Sequence, residues 1–94
     1  MRKAHALLAE ATELARKDRW DDAAVIYELA IRHRDELEPG VAVAVAENLA
    51  VARFNAGRRA EAAEAAQLAM QVAREAGGRP SAKAELVLRQ LGSG

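Results

Sequence analysis

Few residues in this chain have types and spacings that could do chemistry. His5 and His33 are the only histidines. Neither sits in an HExxH arrangement that would set two imidazoles on one helix face. His33 lies between Arg32 and Arg34, and two cationic neighbours disfavour a bound metal ion. There is no cysteine, so a thiolate site and a disulfide are both excluded. Ser81 and Ser93 are the serines, and neither stands in a nucleophile elbow. Acid–base chemistry needs paired carboxylates. Asp21-Asp22 and Asp35-Glu36 are sequence neighbours, which on a helix point about 100° apart. Glu61 and Glu64 are one turn apart but stand beside Arg58 and Arg59, the pattern of a solvated charged face. Gly77-Gly78 suits a helix C-cap better than an anion nest. No catalytic residue, metal site or cofactor is expected, and the chain does not read as an enzyme.

Composition narrows the partners. The chain has 94 residues, with 14 basic and 14 acidic side chains and a net charge of zero. The basic clusters Arg58-Arg59 and Arg32-His33-Arg34 are matched by Asp35, Glu36, Glu38, Glu61 and Glu64. Without a basic stripe or an aromatic platform there is no footprint for nucleic acid. The longest apolar run, Val41 to Ala46, ends at Glu47, far short of the ~18 residues of a membrane span. Glu10 and Glu13 interrupt any leader-like apolar stretch. The expectation is a soluble cytoplasmic protein with no membrane partner. Residues 92–94, Gly-Ser-Gly, have linker composition and are expected to be a flexible tail.

The elements that would carry any site are helical. Of the hydrophobic residues, which make up 51% of the chain, 24 are alanine, and Ala, Leu, Glu and Arg are all strong helix formers. Pro39 and Pro80 suit first turns, and Gly57 and Gly77-Gly78 suit C-caps. These marks predict five helices in one domain over residues 1–91: Arg2 to Lys17, Trp20 to Leu37, Pro39 to Ala56, Arg58 to Ala76, and Pro80 to Leu91. The third is apolar on nearly every side, as in a helix buried on two faces. The last is one-sided, as in a cap. The predicted core is Leu7, Leu14, Trp20, Ala23, Ile26, Tyr27, Ala30, Leu49, Ala62, Ala69 and Leu88.

The chain repeats itself. Asp18-Arg19-Trp20-Asp21-Asp22-Ala23-Ala24 aligns with Gly57-Arg58-Arg59-Ala60-Glu61-Ala62-Ala63, and Tyr27 to Ile31 aligns with Ala66 to Met70. Residues 2–37 and 39–76 therefore form two helical hairpins, and 80–91 opens a third. Here the chain resembles the tetratricopeptide repeat family. The resemblance rests on Leu7, Ala11, Leu14, Trp20, Ala23, Tyr27, Ala30 and Pro39 in the first unit. In the second it rests on Asn48-Leu49-Ala50, Gly57, Ala62 and Ala69. Glu10 stands where the family has leucine, Ala66 replaces an aromatic, and the period exceeds the usual ~34 residues. The resemblance implies an all-α antiparallel hairpin stack of about two and a half repeats. It also implies a concave face, formed by the first helix of each hairpin, that binds peptides. Leu8 and Thr12 replace the first-unit residues with which some members hold a peptide carboxylate, leaving Asn48 alone to match.

Two functions follow as expectations. About three repeats are normally needed to close such a core, so the first is a non-catalytic scaffold, designed or engineered, that self-associates into a homo-oligomer through apolar and alanine-rich helix faces. Alternatively, a natural adaptor of this kind would take a peptide or partner helix in its groove. The residues expected at such an interface or groove are Leu8, Thr12, Val43, Glu47, Asn48, Val51, Phe54 and Leu86. If Phe54 lies in the core or an interface, Phe54→Asp costs several kcal/mol by chemical denaturation, because an unpaired charge is buried. Unchanged stability and assembly would place Phe54 in solvent.

Overall fold

The computed structural model describes residues 3–78 and 81–93, and among these the fold is all α. Helix α1 spans Lys3–Arg16, α2 Trp20–Arg32, α3 Pro39–Asn55, α4 Arg59–Glu75 and α5 Ala82–Ser93. The predicted starts at Arg2 and Pro80 lie outside the described residues. Each helix packs on its neighbour in the chain, and α3 also meets α5. The molecule is a slab with extents of 42 × 32 × 16 Å.

The helices end for local reasons. At the end of α1, the Asp18 N–H donates to Ala15 O at 3.0 Å and the Arg19 N–H to Leu14 O at 3.0 Å. At the end of α3, the Gly57 N–H donates to Phe54 O at 3.0 Å and the Arg58 N–H to Arg53 O at 2.9 Å. Gly77 and Gly78 make the same pair of bonds, to Arg74 O and Ala73 O, after α4. All three ends are Schellman motifs, which satisfy the last orphan carbonyls through one left-handed residue. That residue is Gly57 at φ 80°, Gly77 at φ 71° and Asp18 at φ 60°. The repeat seen in sequence thus extends to the backbone, with aspartate holding in the first hairpin the position of glycine in the second.

α2 departs from expectation. It stops at Arg32 rather than reaching Leu37, and residues Arg34–Glu36 form a single 3-10 turn. Pro39 drives the residue before it out of the helical region, so Glu38 is extended at φ −65°, ψ 148°. Leu37 before it is extended as well, at φ −105°, ψ 151°. Arg34 donates from Nη1 to Ile31 O at 3.2 Å and covers the α2 terminus. The turn also delivers Leu37 into the core. At the other end of the chain, α5 continues through Gly92 and Ser93, where a flexible tail was expected. One exposed glycine with no close neighbour weakens a helix without ending it.

The core is made chiefly of alanine. Of the 22 buried hydrophobic residues described, 15 are alanine, so backbone-to-backbone approach rather than interdigitating large side chains sets the packing. The largest fully buried side chains are Leu49 and Val45, both on α3. That helix is indeed covered on two sides, by α2 and by α4 and α5. Ala23, Tyr27, Ala30, Leu49, Ala62 and Ala69 are buried. Leu7, Leu14, Trp20, Ile26 and Leu88 are partly buried and pack against that cluster.

Left-handed backbone strains any side chain with a Cβ, by roughly 1–2 kcal/mol for most residues and less for aspartate. Asp18→Gly should therefore raise stability by about 0.5–1 kcal/mol, and Gly57→Ala should lower it by about 1 kcal/mol. Urea denaturation of both variants checks this. Equal and opposite shifts are not required, but a loss of stability in Asp18→Gly would contradict the strain assigned to that turn.

Candidate functional site

The residues expected to line a groove or interface lie on three helices: Leu8 and Thr12 on α1, Val43, Glu47, Asn48, Val51 and Phe54 on α3, and Leu86 on α5. Leu8, Val43, Val51 and Phe54 are partly buried and lean on the core. Thr12 is exposed, and its hydroxyl donates to Leu8 O one turn back at 2.8 Å, a local bond that leaves the side chain folded onto its own helix. Asn48 is half-buried and Leu86 is 52% exposed.

Glu47 is used internally. Its Oε2 accepts a hydrogen bond from the Ser81 hydroxyl, and Ser81 Oγ in turn accepts the Ala84 N–H at 3.0 Å. Ser81 is 5% exposed and precedes the first residue of α5. It is an N-cap that satisfies one of the orphan donors there. The Glu47 carboxylate adds negative charge at the positive end of the helix dipole and ties α5 to α3. A serine three residues before Ala84, just ahead of an apolar stripe, was the sequence signal for this cap. Its partner on another helix had no such signal.

Two clusters of opposite charge join α2 to the second hairpin. Arg53 has only 15% of its side chain exposed. It donates from Nη2 to Glu28 Oε2 and from Nη1 to Glu61 O at 3.2 Å. Glu28 also accepts from Arg32 at 2.9 Å. Nearby, Arg58 Nε donates to Asp21 Oδ1 at 2.6 Å, with Glu61 Oε1 at 3.6 Å from Arg58 Nη1. The Arg58 guanidinium is held above its ordinary pKa first by the hydrogen bond to Asp21, then by the charges of Asp21 and Glu61. Asp21, Asp22, Glu28, Arg53, Arg58 and Glu61 share a cleft of about 250 Å³ with Ala24 and Val25. Its cations and carboxylates face one another, so the cleft offers neither a free charge for a ligand nor a separated acid and base.

A more open cleft of about 510 Å³ lies where α2 ends, α3 begins and α4 ends, with Leu37, Pro39, Ala42 and Val72 among its walls. Arg32, Arg34, Asp35 and Glu75 edge it with both signs of charge. His33 faces Glu36 at 3.7 Å, and Glu36 Oε1 accepts the Ala4 N–H at 3.1 Å, capping α1 from the turn after α2. No group of three or more His, Asp or Glu able to hold a metal ion is found among the described residues. No described helix is long and apolar enough to cross a membrane.

The apolar exposure includes Leu86, which was expected at an interface, and two residues of α2 that were not. Among the described residues the exposed large hydrophobic side chains are Val25 at 60%, Leu29 at 36% and Leu86 at 52%. Val25 and Leu29 fall outside the apolar stripe that marks the core face of α2. The sequence signal was present, since two branched apolar residues one turn apart off the main stripe are unusual on a solvated face. No family model matches the chain, and neither does any curated protein or solved structure.

The Glu28–Arg53 pair is more enclosed than the exposed pairs, which typically contribute ~0–1 kcal/mol. A double-mutant cycle with Glu28→Ala and Arg53→Ala should give a coupling of about 1–2 kcal/mol. The same cycle on the exposed pair Glu13–Arg16, at 2.8 Å, should give less than about 0.5 kcal/mol. Equal couplings would mean that the joint between the hairpins draws nothing from this contact.

Proposed function

We propose that this chain is a non-catalytic helical-repeat module of the tetratricopeptide kind, whose work is to bind protein, and that its first partner is a second copy of itself. The observation that carries this reading is the combination of two features. The polar clusters between hairpins are internally paired, while Val25, Leu29 and Leu86 stand exposed. Such side chains gain by leaving water, at about 25 cal/mol per Å². A surface offering apolar contact but no convergent polar groups suits association better than a small ligand or a reaction.

The helix ends favour a natural chain over an idealised one. α2, α3 and α4 begin at Arg19, Glu38 and Arg58 with no side-chain cap, and Asp18 occupies a left-handed turn. A designed bundle would place Ser, Thr, Asp or Asn at those starts and glycine at that turn. Peptide capture in the groove is the second reading. It is favoured by the run Ala44, Asn48, Val51 and Asn55, one face of α3 whose residues are half-buried or exposed.

Light scattering on a size-exclusion column over a dilution series separates the two. Self-association gives a mass above 10.1 kDa at high concentration that falls toward the monomer on dilution. A monomer at every concentration would overturn it and direct attention to a peptide library screened against the α3 face.

A further inference from the structure

The outward face of α2 carries a pattern that ordinary surface helices lack. Asp22, Val25, Leu29 and Arg32 are all exposed and succeed one another at steps of three, four and three residues. At 100° per residue these four share one stripe, opposite the face that buries Ala23, Ala24, Tyr27, Ala30 and Ile31. A 3-4 alternation is the seam spacing of packed helix pairs, and here it lies where a one-sided helix should be wholly polar. A groove of about 360 Å³ between α1 and α2, with Leu14 and Ile26 in its wall, runs beside Val25 and can receive a partner's side chain.

The stripe is self-complementary in one direction only. Val25 and Leu29 lie two residues either side of Tyr27, and Asp22 and Arg32 five residues either side. Turning a second copy of α2 antiparallel about an axis beside Tyr27 sets Val25 on the partner copy's leucine. The same turn sets Asp22 on the partner copy's arginine, with both pairs made twice. This is the isologous arrangement of a two-fold dimer. A parallel pairing would oppose aspartate to aspartate and arginine to arginine. In the single chain Asp22 pairs with Arg19 at 2.6 Å and Arg32 with Glu28 at 2.9 Å. Both are exposed pairs local to α2 and the residue before it, cheap to exchange for an intermolecular partner. Leu86 has no comparable stripe, because its neighbours on α5 include Lys83, Glu85, Arg89 and Gln90.

We infer that the Asp22–Val25–Leu29–Arg32 face of α2 is an antiparallel two-fold docking surface for a second copy of this chain. The inference rests on the self-association proposed above and names the surface and direction that association uses. The 13 residues of α2 span about 20 Å, so the contact is smaller than the ~1,200–2,000 Å² of stable complexes. The dimer dissociates on dilution.

Sedimentation equilibrium of the full chain, over about 10 μM to 1 mM to cover the range for small interfaces, tests this. Circular dichroism melts verify that each variant stays folded. Asp22→Arg and Arg32→Asp should each weaken dimerisation about tenfold or more, since each opposes like charges twice across the axis. Combining them restores opposite charges and should return the dissociation constant to near the wild-type value. Val25→Ser should weaken the dimer while leaving the monomer folded. A wild-type oligomer indifferent to all four variants would overturn this surface and leave self-association standing. Rescue failing in the folded double variant would overturn the antiparallel direction. A wild-type monomer throughout would overturn both the surface and the self-association on which it rests.

Discussion

Close approach of helix backbones across alanine is the constraint on which the rest of this structure depends. With a single methyl at most buried positions, α2, α3 and α4 can pack toward the short end of the ~8–10 Å interaxial range. Dispersion between backbones then replaces the interlocking of large side chains. Ala23, Ala30, Ala46, Ala50, Ala62, Ala66 and Ala69 are all buried in this way. A small core supplies less apolar area per residue than a leucine-rich one, so turns, caps and polar joints carry more of the specification. Tyr27, at 3% exposure, is the one large aromatic fully enclosed in this alanine setting.

Carboxylates supply part of that specification from a distance. Glu36 caps the start of α1 from the turn after α2, and Glu47 supports the start of α5 from the middle of α3 through Ser81. Both terminal helices are therefore held by acids that belong to other elements. Three interior helices begin at Arg19, Glu38 and Arg58 without a side-chain cap and rely on packing along their length. Glu28 and Arg53 play the corresponding part between hairpins, joining α2 to α3 and, through Glu61, to the start of α4. These bonds fix register in a core whose methyl groups discriminate weakly between one sliding position and the next.

Much of this was legible in the sequence, and the physical reasons mark where legibility ends. Helix number and approximate bounds followed from local signals: proline at the start of α3, and glycine after α3 and α4. The internal alignment even paired Asp18 with Gly57, which share a left-handed backbone. The early end of α2 was missed because residues Arg32 to Leu37 hold no glycine or proline and still read as helix. The role of Glu47 was missed because an acid facing a serine 34 residues away leaves no trace in either local pattern. Leu8, Val43, Val51 and Phe54, surplus apolar residues in the sequence, are partly buried along the margins of the alanine-lined core. The apolar residues left outside, Val25 and Leu29, sit opposite that core.

The order of packing also bears on how the molecule comes apart. Neighbour meets neighbour along the chain, so α2, α3 and α4 are each covered from both directions, and α3 also meets α5. Such an array behaves as a short one-dimensional lattice, in which each unit is stabilised by its own formation and by the interfaces beside it. α1 packs chiefly on α2, and α5 on α4 and α3, so these two helices are the least covered and open first. α3, which contains Leu49 and Val45, is the last to lose its amide protection. Cooperativity in this chain is thus graded along its length, from fraying ends to a central helix that opens only when the whole molecule does.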